Sequence, residues 1–213
     1  MASEAITLDY AALDGLPVAT DPFAHLVVPR FVPPGVLEGV VADLPPMTRG
    51  GSFPLASLRL GPRAAALAEA LEGARLRDTI AARFGLDLDG AATMITLRGV
   101  SRERDGQIHC DSTAKRVTVL LYLNPSTAAW ARHEGCLRLL RGPGDLENYA
   151  VEVPPVDGTL LVFPNTTQAW HGHKTFVGQR YVVQLNYMTG GAAARAELRR
   201  HRLSALIKRL APV

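Results

Sequence analysis

His109 and Asp111 stand two positions apart in the stretch "QIHCDSTAKRVTVLLYLN", residues 107–124. Successive side chains of an extended chain point to opposite faces, so an extended backbone here places this imidazole and this carboxylate on one face. The two groups could then bind one divalent cation. Taken alone, the triplet is more typical of a polar turn beside a surface histidine, because short patterns of this kind recur by chance.

A second segment, "NTTQAWHGHKTFVGQRYVVQLNYM", offers a further ligand and an anion-binding group. His171 follows an apolar stretch and a turn, and Arg180 lies at the start of another strand candidate. Two histidines and one carboxylate form the facial set that suits ferrous iron and leaves coordination positions open. A buried guanidinium offers a planar fork of donors that matches a carboxylate. Together, the metal and the arginine could hold a dicarboxylic keto acid at both ends.

The elements that must position these residues are short strand candidates, which fill the chain from Thr93 onward between clusters of Gly, Pro, Asn and Asp. They are "TMITLRGV", "RVTVLLYLN", "CLRLLRG", "YAVEVPP", "GTLLVFPN" and "RYVVQLNYM". This spacing predicts an all-β sandwich or barrel of about eight strands rather than βαβ units.

Helical patterns precede and follow the β region. The clearest is "GPRAAALAEALEGARLRDTIAARFG", with a break near Gly73, and an earlier helix with apolar residues at near-helical spacing is closed by prolines. An Ala/Arg/Leu-rich segment predicts a last helix over Ala192–Leu210. We therefore expect one domain, residues 1–213, with helices packed on one side of the β core. Its parts are a mostly helical region 1–92, a β core 93–190 and a C-terminal helix within 191–213.

Composition excludes several classes of protein. With 47% hydrophobic and 20% charged residues in 213 positions, the chain is expected to fold around a sizeable core rather than to be disordered. The net charge of +3 owes much to the last stretch, which a solvated helix face explains, so no nucleic-acid partner is expected. No apolar run is long enough to cross a membrane. Cys110 and Cys136 form no close pair and the N-terminus lacks a signal-peptide pattern, which predicts a cytoplasmic protein.

In the order and spacing of these features, the chain resembles the iron(II)- and 2-oxoglutarate-dependent oxygenases, and among them the small prolyl-hydroxylase-like branch. The resemblance covers about residues 93–188 and is carried by the H-x-D triplet and by "LLYLN", "EGCLRLL", "PPVDGTLLVF" and "WHGHKTFVGQR". It implies a double-stranded β-helix, the jelly roll also found in cupins, with N-terminal helices packed on one sheet. It also implies Fe(II), 2-oxoglutarate as co-substrate and O2.

The resemblance implies the metal ligands position by position. His109, Asp111 and His171 are similar to the three iron ligands of the family. His173 competes with His171, because the two side chains share a face if the segment is extended. Relatives place the arginine about nine or ten residues beyond the ligand, and the spacing to Arg180 therefore favours His171.

The resemblance also implies a co-substrate site. Arg180 matches the arginine that binds the distal carboxylate of 2-oxoglutarate, and Tyr122 matches a tyrosine that hydrogen-bonds the same group. The alternative for Tyr122 is a core tyrosine with a satisfied hydroxyl. Relatives often carry a small hydroxyl residue two positions after the arginine, where this chain has Val182, and Gln184 is a candidate to replace it.

Three further residues are candidates to face the primary substrate. Arg98 could bind an anionic substrate at the mouth of the β core, although exposed loops are normally charged. Gln107 could share the face of His109, and His173 could face the substrate if it is not a ligand. The sequence does not specify an oligomeric state.

The expected reaction is hydroxylation of an unactivated C–H bond of a small molecule, with release of succinate and CO2. A carboxylate at Asp111 favours hydroxylation, because related halogenases have a small residue there. The compact chain shows no extra recognition region, which favours a small molecule over the alternative, a protein side chain in a prolyl-type hydroxylase. A non-catalytic or non-redox cupin-like metal-binding protein is the alternative of another class, but it would not need Arg180.

Overall fold

The structure, a computed structural model, describes residues 6–126, 130 and 133–208. Its helices are α1 (Tyr10–Gly15), α2 (Pro34–Ala42), α3 (Pro62–Glu72), α4 (Ala74–Phe84) and α5 (Ala192–Lys208). Its strands are β1 (Leu26–Val28), β2 (Phe53–Pro54), β3 (Thr93–Ser101), β4 (Lys115–Tyr122), β5 (Leu137–Leu140), β6 (Tyr149–Val153), β7 (Leu160–Pro164), β8 (His171–His173) and β9 (Gly178–Met188). All six strands predicted from Thr93 onward are present, and the predicted break near Gly73 separates α3 from α4.

The strands form two antiparallel sheets. The major sheet has six strands in the order β1-β7-β4-β9-β3-β2, and the minor sheet has three in the order β6-β5-β8. The chain crosses between the sheets from β4 to β5, from β6 to β7, from β7 to β8 and from β8 to β9, and β9 pairs with both β3 and β4. This arrangement is the predicted jelly roll with flanking helices.

The two faces of the major sheet have different partners because side chains alternate along each strand. On β4, Val117, Val119 and Leu121 point outward and pack into the larger core. The N-terminal helices complete that core with Leu13, Leu37, Val40, Leu67, Leu71, Leu76 and Ile80. Leu120 and Tyr122 point inward and pack with residues of the minor sheet. The helices therefore lie on one sheet, as expected, and leave the inner face of that sheet for a site.

Helix α5 packs at the edge of the major sheet formed by β2 and β3, close to the H-x-D turn. Ala194 is buried in a small cluster with Ala114 and Met188. The Ser112 hydroxyl donates a hydrogen bond of 2.5 Å to the Glu197 carboxylate. Most basic residues of the helix are exposed, as in a solvated face. No helix in the described part of the chain is both long and apolar enough to cross a bilayer.

Candidate metal centre

His109 and His171 lie side by side because their backbones pair. Each donates its backbone N–H to the carbonyl of the other at 3.0 Å, and the two ring centroids are 4.4 Å apart. His171 also belongs to β8, where it pairs with Leu139 of the minor sheet. Two positions 62 residues apart in the sequence are thus held together by main-chain hydrogen bonds.

Asp111 is held from the major sheet. Its two carboxylate oxygens accept hydrogen bonds of 2.5 Å from the Lys115 ammonium and from the Thr118 hydroxyl at the start of β4. Burial on its own raises the pKa of this carboxyl, but the charge of Lys115 and the hydrogen bonds outweigh it, so the pKa lies below its usual value. The group is therefore a carboxylate at neutral pH, and each oxygen keeps a lone pair for a metal.

The three side chains form a group that fits a metal ion. One ligand atom from each of His109, Asp111 and His171 lies within 4.8 Å of the others. Nδ1 of the two imidazoles lies 2.8 Å from the Gln107 carbonyl and 2.9 Å from the Ala169 carbonyl, respectively. A carbonyl can only accept, so Nδ1 carries the proton and Nε2 of each ring keeps a free lone pair. Burial, together with the neighbouring His109, lowers the pKa of His171 to about 4, which keeps this ring neutral.

His173, the competing histidine, lies outside this group. Its Nδ1 donates to the Lys174 carbonyl at 2.8 Å, and its ring packs beside Gly106, where a Cβ would approach the ring to 2.6 Å. Burial and the nearby Arg180 lower its pKa to about 4. The structure therefore places His171 with the other two ligands and His173 further along the same wall.

Arg180 and Tyr122 meet at the inner end of the site. The guanidinium is buried, its Nε donates to the Gly135 carbonyl at 2.9 Å, and its carbon lies 5.5 Å from the Tyr122 ring centroid. Among the described residues no carboxylate pairs with Arg180, and burial lowers the pKa of its guanidinium. The Tyr122 hydroxyl is buried without a hydrogen bond among the described residues, and burial raises its pKa to about 12. The buried guanidinium and the neighbouring buried hydroxyl both suit a buried carboxylate.

Comparison with known proteins gives the family of this site. Residues 98–188, which contain all three candidate ligands and Arg180, match the 2OG-Fe(II) oxygenase superfamily. The matched region, which covers less than half of the chain, is thus similar to a 2OG-Fe(II) oxygenase. This match, together with the geometry of the three side chains, favours an oxygenase that uses Fe(II) and 2-oxoglutarate over a non-redox cupin-like protein, with His109, Asp111 and His171 as the iron-binding triad.

Solved structures share the fold of the oxygenase. A prolyl-4-hydroxylase from Pseudomonas putida has a TM-score of 0.59 at 18% identity, covering 90% of this chain and 97% of that one. A Trichoplax adhaerens prolyl hydroxylase in complex with a peptide of the hypoxia inducible factor oxygen degradation domain has a TM-score of 0.55 at 19% identity, covering 81% and 86%. AviO1 from Streptomyces viridochromogenes Tue57 has a TM-score of 0.52 at 16% identity, covering 87% and 97%. No curated protein matches the chain.

The oxygenase has a cavity of about 120 Å³ between its sheets, next to the triad. Besides the triad, the lining residues are Arg98, Gly106, Lys115, Thr118, Leu120, Leu137, Gly172, His173, Arg180, Val182 and Gln184. Gln184 also donates a hydrogen bond of 3.3 Å to the Asn186 side chain. The side chain of Gln107 is exposed and does not line this cavity, since its carbonyl is what contacts His109.

Asn165, which our sequence reasoning missed, holds the H-x-D turn of the oxygenase in place. It ends the apolar stretch "LLVFPN", and its side-chain amide lies within hydrogen-bond distance of the carbonyls of Asp111 (3.2 Å), Ser112 (2.6 Å) and Lys115 (3.2 Å). One amide thus fixes the backbone of the carboxylate ligand and of the turn that follows it. A single polar residue in an otherwise apolar strand segment could have identified Asn165, which ends "LLVFPN". The same pattern could have identified Thr118, which lies inside "RVTVLLYL".

Replacing Asn165 with leucine is expected to weaken Fe(II) binding by about 10–100-fold, the usual cost of losing a residue that supports a ligand. The free energy of unfolding should fall by about 1–3 kcal/mol, because carbonyls of the turn lose their partner. Fe(II) titration and urea unfolding measure the two effects. Asn148→Leu is the control, since Asn148 is exposed in a loop away from the triad. An unchanged iron affinity in Asn165→Leu would show that the turn holds its shape without the amide.

Proposed function

We propose that this oxygenase hydroxylates an unactivated C–H bond of a small-molecule substrate, with release of succinate and CO2. The observation that supports the proposal most is that the carboxylate-containing triad shares one cavity with Arg180, whose buried guanidinium has no carboxylate partner among the described residues and lies beside the buried Tyr122. When bound, Fe(II) with 2-oxoglutarate and O2 supplies oxidative chemistry that the side chains of a protein lack.

The chain's own residues bind, orient and exclude water. His109 and His171 offer Nε2, and Asp111 offers a carboxylate oxygen whose orientation is set by Lys115 and Thr118. Arg180 and the Tyr122 hydroxyl would bind the distal carboxylate of 2-oxoglutarate at the closed end of the cavity. The apolar side chains of Leu120, Leu137 and Val182 line the space between the two ends and keep it dry.

The size of the cavity bears on where the primary substrate binds. At about 120 Å³ it is smaller than the roughly 300–1,000 Å³ of pockets for drug-sized ligands, so it suits the co-substrate alone. The inner face of β3 continues from this cavity into a second pocket of about 320 Å³ against α5. Met94 and Thr96 of β3 line it together with Arg200 and His201 of the helix. We assign the primary substrate to this second pocket, whose size favours a small molecule.

A prolyl-type protein substrate is the second candidate. Two of the similar structures are named prolyl hydroxylases, and one of them was solved with a peptide. Succinate release above the background without primary substrate separates the two candidates when free amino acids and other small metabolites are compared with proline-containing peptides. Stimulation by peptides alone would favour the second candidate.

Anaerobic addition of Fe(II) and 2-oxoglutarate to the protein is expected to produce the weak visible charge-transfer band of the iron–keto acid chelate. The band depends on the keto group next to a carboxylate, so succinate added in place of 2-oxoglutarate is the control. Absorbance spectroscopy of folded protein in a sealed cuvette is the measurement. A protein that binds iron tightly but gives no band with 2-oxoglutarate would contradict the proposed co-substrate.

A further inference from the structure

Arg98 lies at the mouth of the cavity on the inner face of β3. It pairs in register with Val182 of β9, and both side chains line the cavity. The register between the strands shifts by one residue between Arg98 and Val100, opposite the part of β9 that contains Arg180. Bulges of this kind re-aim side chains and are over-represented beside active sites.

Gly99 fixes the backbone next to Arg98. A Cβ at this position would lie 2.3 Å from the Met47 side chain and 3.1 Å from the Tyr181 ring. Only glycine lets the strand approach these two side chains so closely. The backbone that carries Arg98 is therefore held by packing on its outer face, while the Arg98 side chain faces the mouth.

The charges of the cavity leave Arg98 without a counter-charge. The cations that line it are Arg98, Lys115 and Arg180, and Asp111 is the one carboxylate among its described lining residues. Lys115 pairs with Asp111 at 2.5 Å, and the proposed function assigns Arg180 to the co-substrate. Among the described residues Arg98 makes neither a hydrogen bond nor an ion pair.

Asp105 is the acidic residue nearest in effect to Arg98, but its carboxylate is hydrogen-bonded to another arginine, Arg102. Its carboxylate accepts hydrogen bonds of 3.1 Å and 3.0 Å from the Arg102 guanidinium, and a third of 2.9 Å from the Arg102 backbone. The positive charge of Arg98 lowers the pKa of Asp105 slightly, and it also adds to the lowering of the pKa of Arg180 and of His173. The uncompensated charge of Arg98 at the mouth is stabilised when an anion binds there.

We propose that Arg98 binds a carboxylate or phosphate group of the primary substrate, so that the enzyme selects anionic substrates. The inference rests on the proposed function, since that function assigns Arg180 to 2-oxoglutarate. The substrate's anionic group contacts Arg98 at the junction of the two pockets, and the rest of the molecule extends along Thr96 and Met94 toward α5. The one carboxylate on the described wall of that second pocket, Glu197, accepts the hydrogen bond from Ser112.

The test measures anion binding near the metal without knowledge of the substrate. Mn(II) replaces iron, 2-oxoglutarate is saturating, and inorganic phosphate or 13C-labelled acetate is titrated while its 31P or 13C relaxation is recorded. A paramagnetic enhancement that saturates is expected in the wild type. Arg98→Gln should weaken the binding by about tenfold or more, because a bidentate charge-assisted contact is lost. Tighter binding of phosphate would indicate that the primary substrate is a phosphate ester, and tighter binding of acetate would indicate that it is a carboxylate.

Arg104→Gln is the matched control, because Arg104 is an exposed arginine of the same segment that does not line the cavity. It should bind the probes as the wild type does. Equal binding in Arg98→Gln, or no enhancement by either probe in wild type with Mn(II) and 2-oxoglutarate bound, would overturn the anion site. The chelate band with Fe(II) is recorded on the same proteins. Its absence in the wild type contradicts the proposed function, whereas a normal band without Arg98-dependent anion binding contradicts only this inference.

Discussion

Replacing Asp111 with alanine is expected to lower the affinity for Fe(II) by more than about 100-fold and to abolish succinate formation. Loss of a residue that merely supports a ligand already costs about 10–100-fold in metal affinity, and Asp111 is itself the only anionic ligand of the triad. Isothermal titration with Fe(II) under anaerobic conditions and a succinate assay measure the two losses.

The same substitution removes the partner of Lys115, whose side chain is only 13% exposed. An ammonium left in this position without a counter-charge should lower the free energy of unfolding by up to about 3 kcal/mol. The double variant Asp111→Ala/Lys115→Met removes both charges and is expected to recover most of this stability in urea unfolding. It should still fail to bind iron, which separates loss of the ligand from loss of the fold. Iron binding and turnover at wild-type levels in the stable double variant would exclude Asp111 as a ligand.

Replacing Arg180 with methionine is expected to raise the KM for 2-oxoglutarate by about 30-fold or more, because truncating one partner of a buried charge pair costs about 2–5 kcal/mol. The stability of the unliganded protein should change little. The variant loses the hydrogen bond to the Gly135 carbonyl, but it also loses a buried guanidinium that has no carboxylate partner among the described residues.

Two measurements check the Arg180 variant. Succinate formation at increasing 2-oxoglutarate gives the KM, and thermal unfolding shows whether 2-oxoglutarate still raises the Tm, as a ligand bound only by the native state must. Arg180→Lys is the matched variant, since it keeps the charge but not the planar fork, and its KM should lie between those of the other two proteins. A KM and a ligand-dependent Tm shift equal to those of the wild type in Arg180→Met would show that the distal carboxylate binds elsewhere.

The sequence predicted those parts of the fold that depend on local pattern. The alternating apolar residues of β4 and β9 identify strands with two different faces, and Gly73 interrupts an otherwise continuous helical pattern. The short elements α1, β2 and β8 were missed. Strand β8 has three residues, "HGH", and is defined by its pairing with β5 and by the bridge to His109 rather than by its own composition.

The residues of the candidate site likewise fall into those that the sequence pattern identified and those that only the packing of the strands reveals. His109, Asp111 and His171 were found because the H-x-D spacing and the distance to Arg180 are visible along the chain. Lys115 and Thr118 were not, since the path of the backbone from the turn into β4 brings their side chains to Asp111. Asn165 was not, since it reaches the turn through the pairing of β4 with β7. The roles of Arg180, Tyr122, Gln184 and Arg98 stay predictions, as do the single domain and the small-molecule substrate. Gln107 was expected to share a face with His109 because it lies two residues away. Its backbone carbonyl, rather than its side chain, accepts the hydrogen bond from His109.

The main-chain bridge between His109 and His171 also bears on how the protein folds. Contacts between positions so distant in sequence form late, since a long loop must close before any interaction offsets its loss of entropy. Neither a nascent chain nor an isolated half of the jelly roll contains the complete triad. Iron capture is therefore a reporter of the finished fold, and the metal stabilises only chains in which both sheets have already come together.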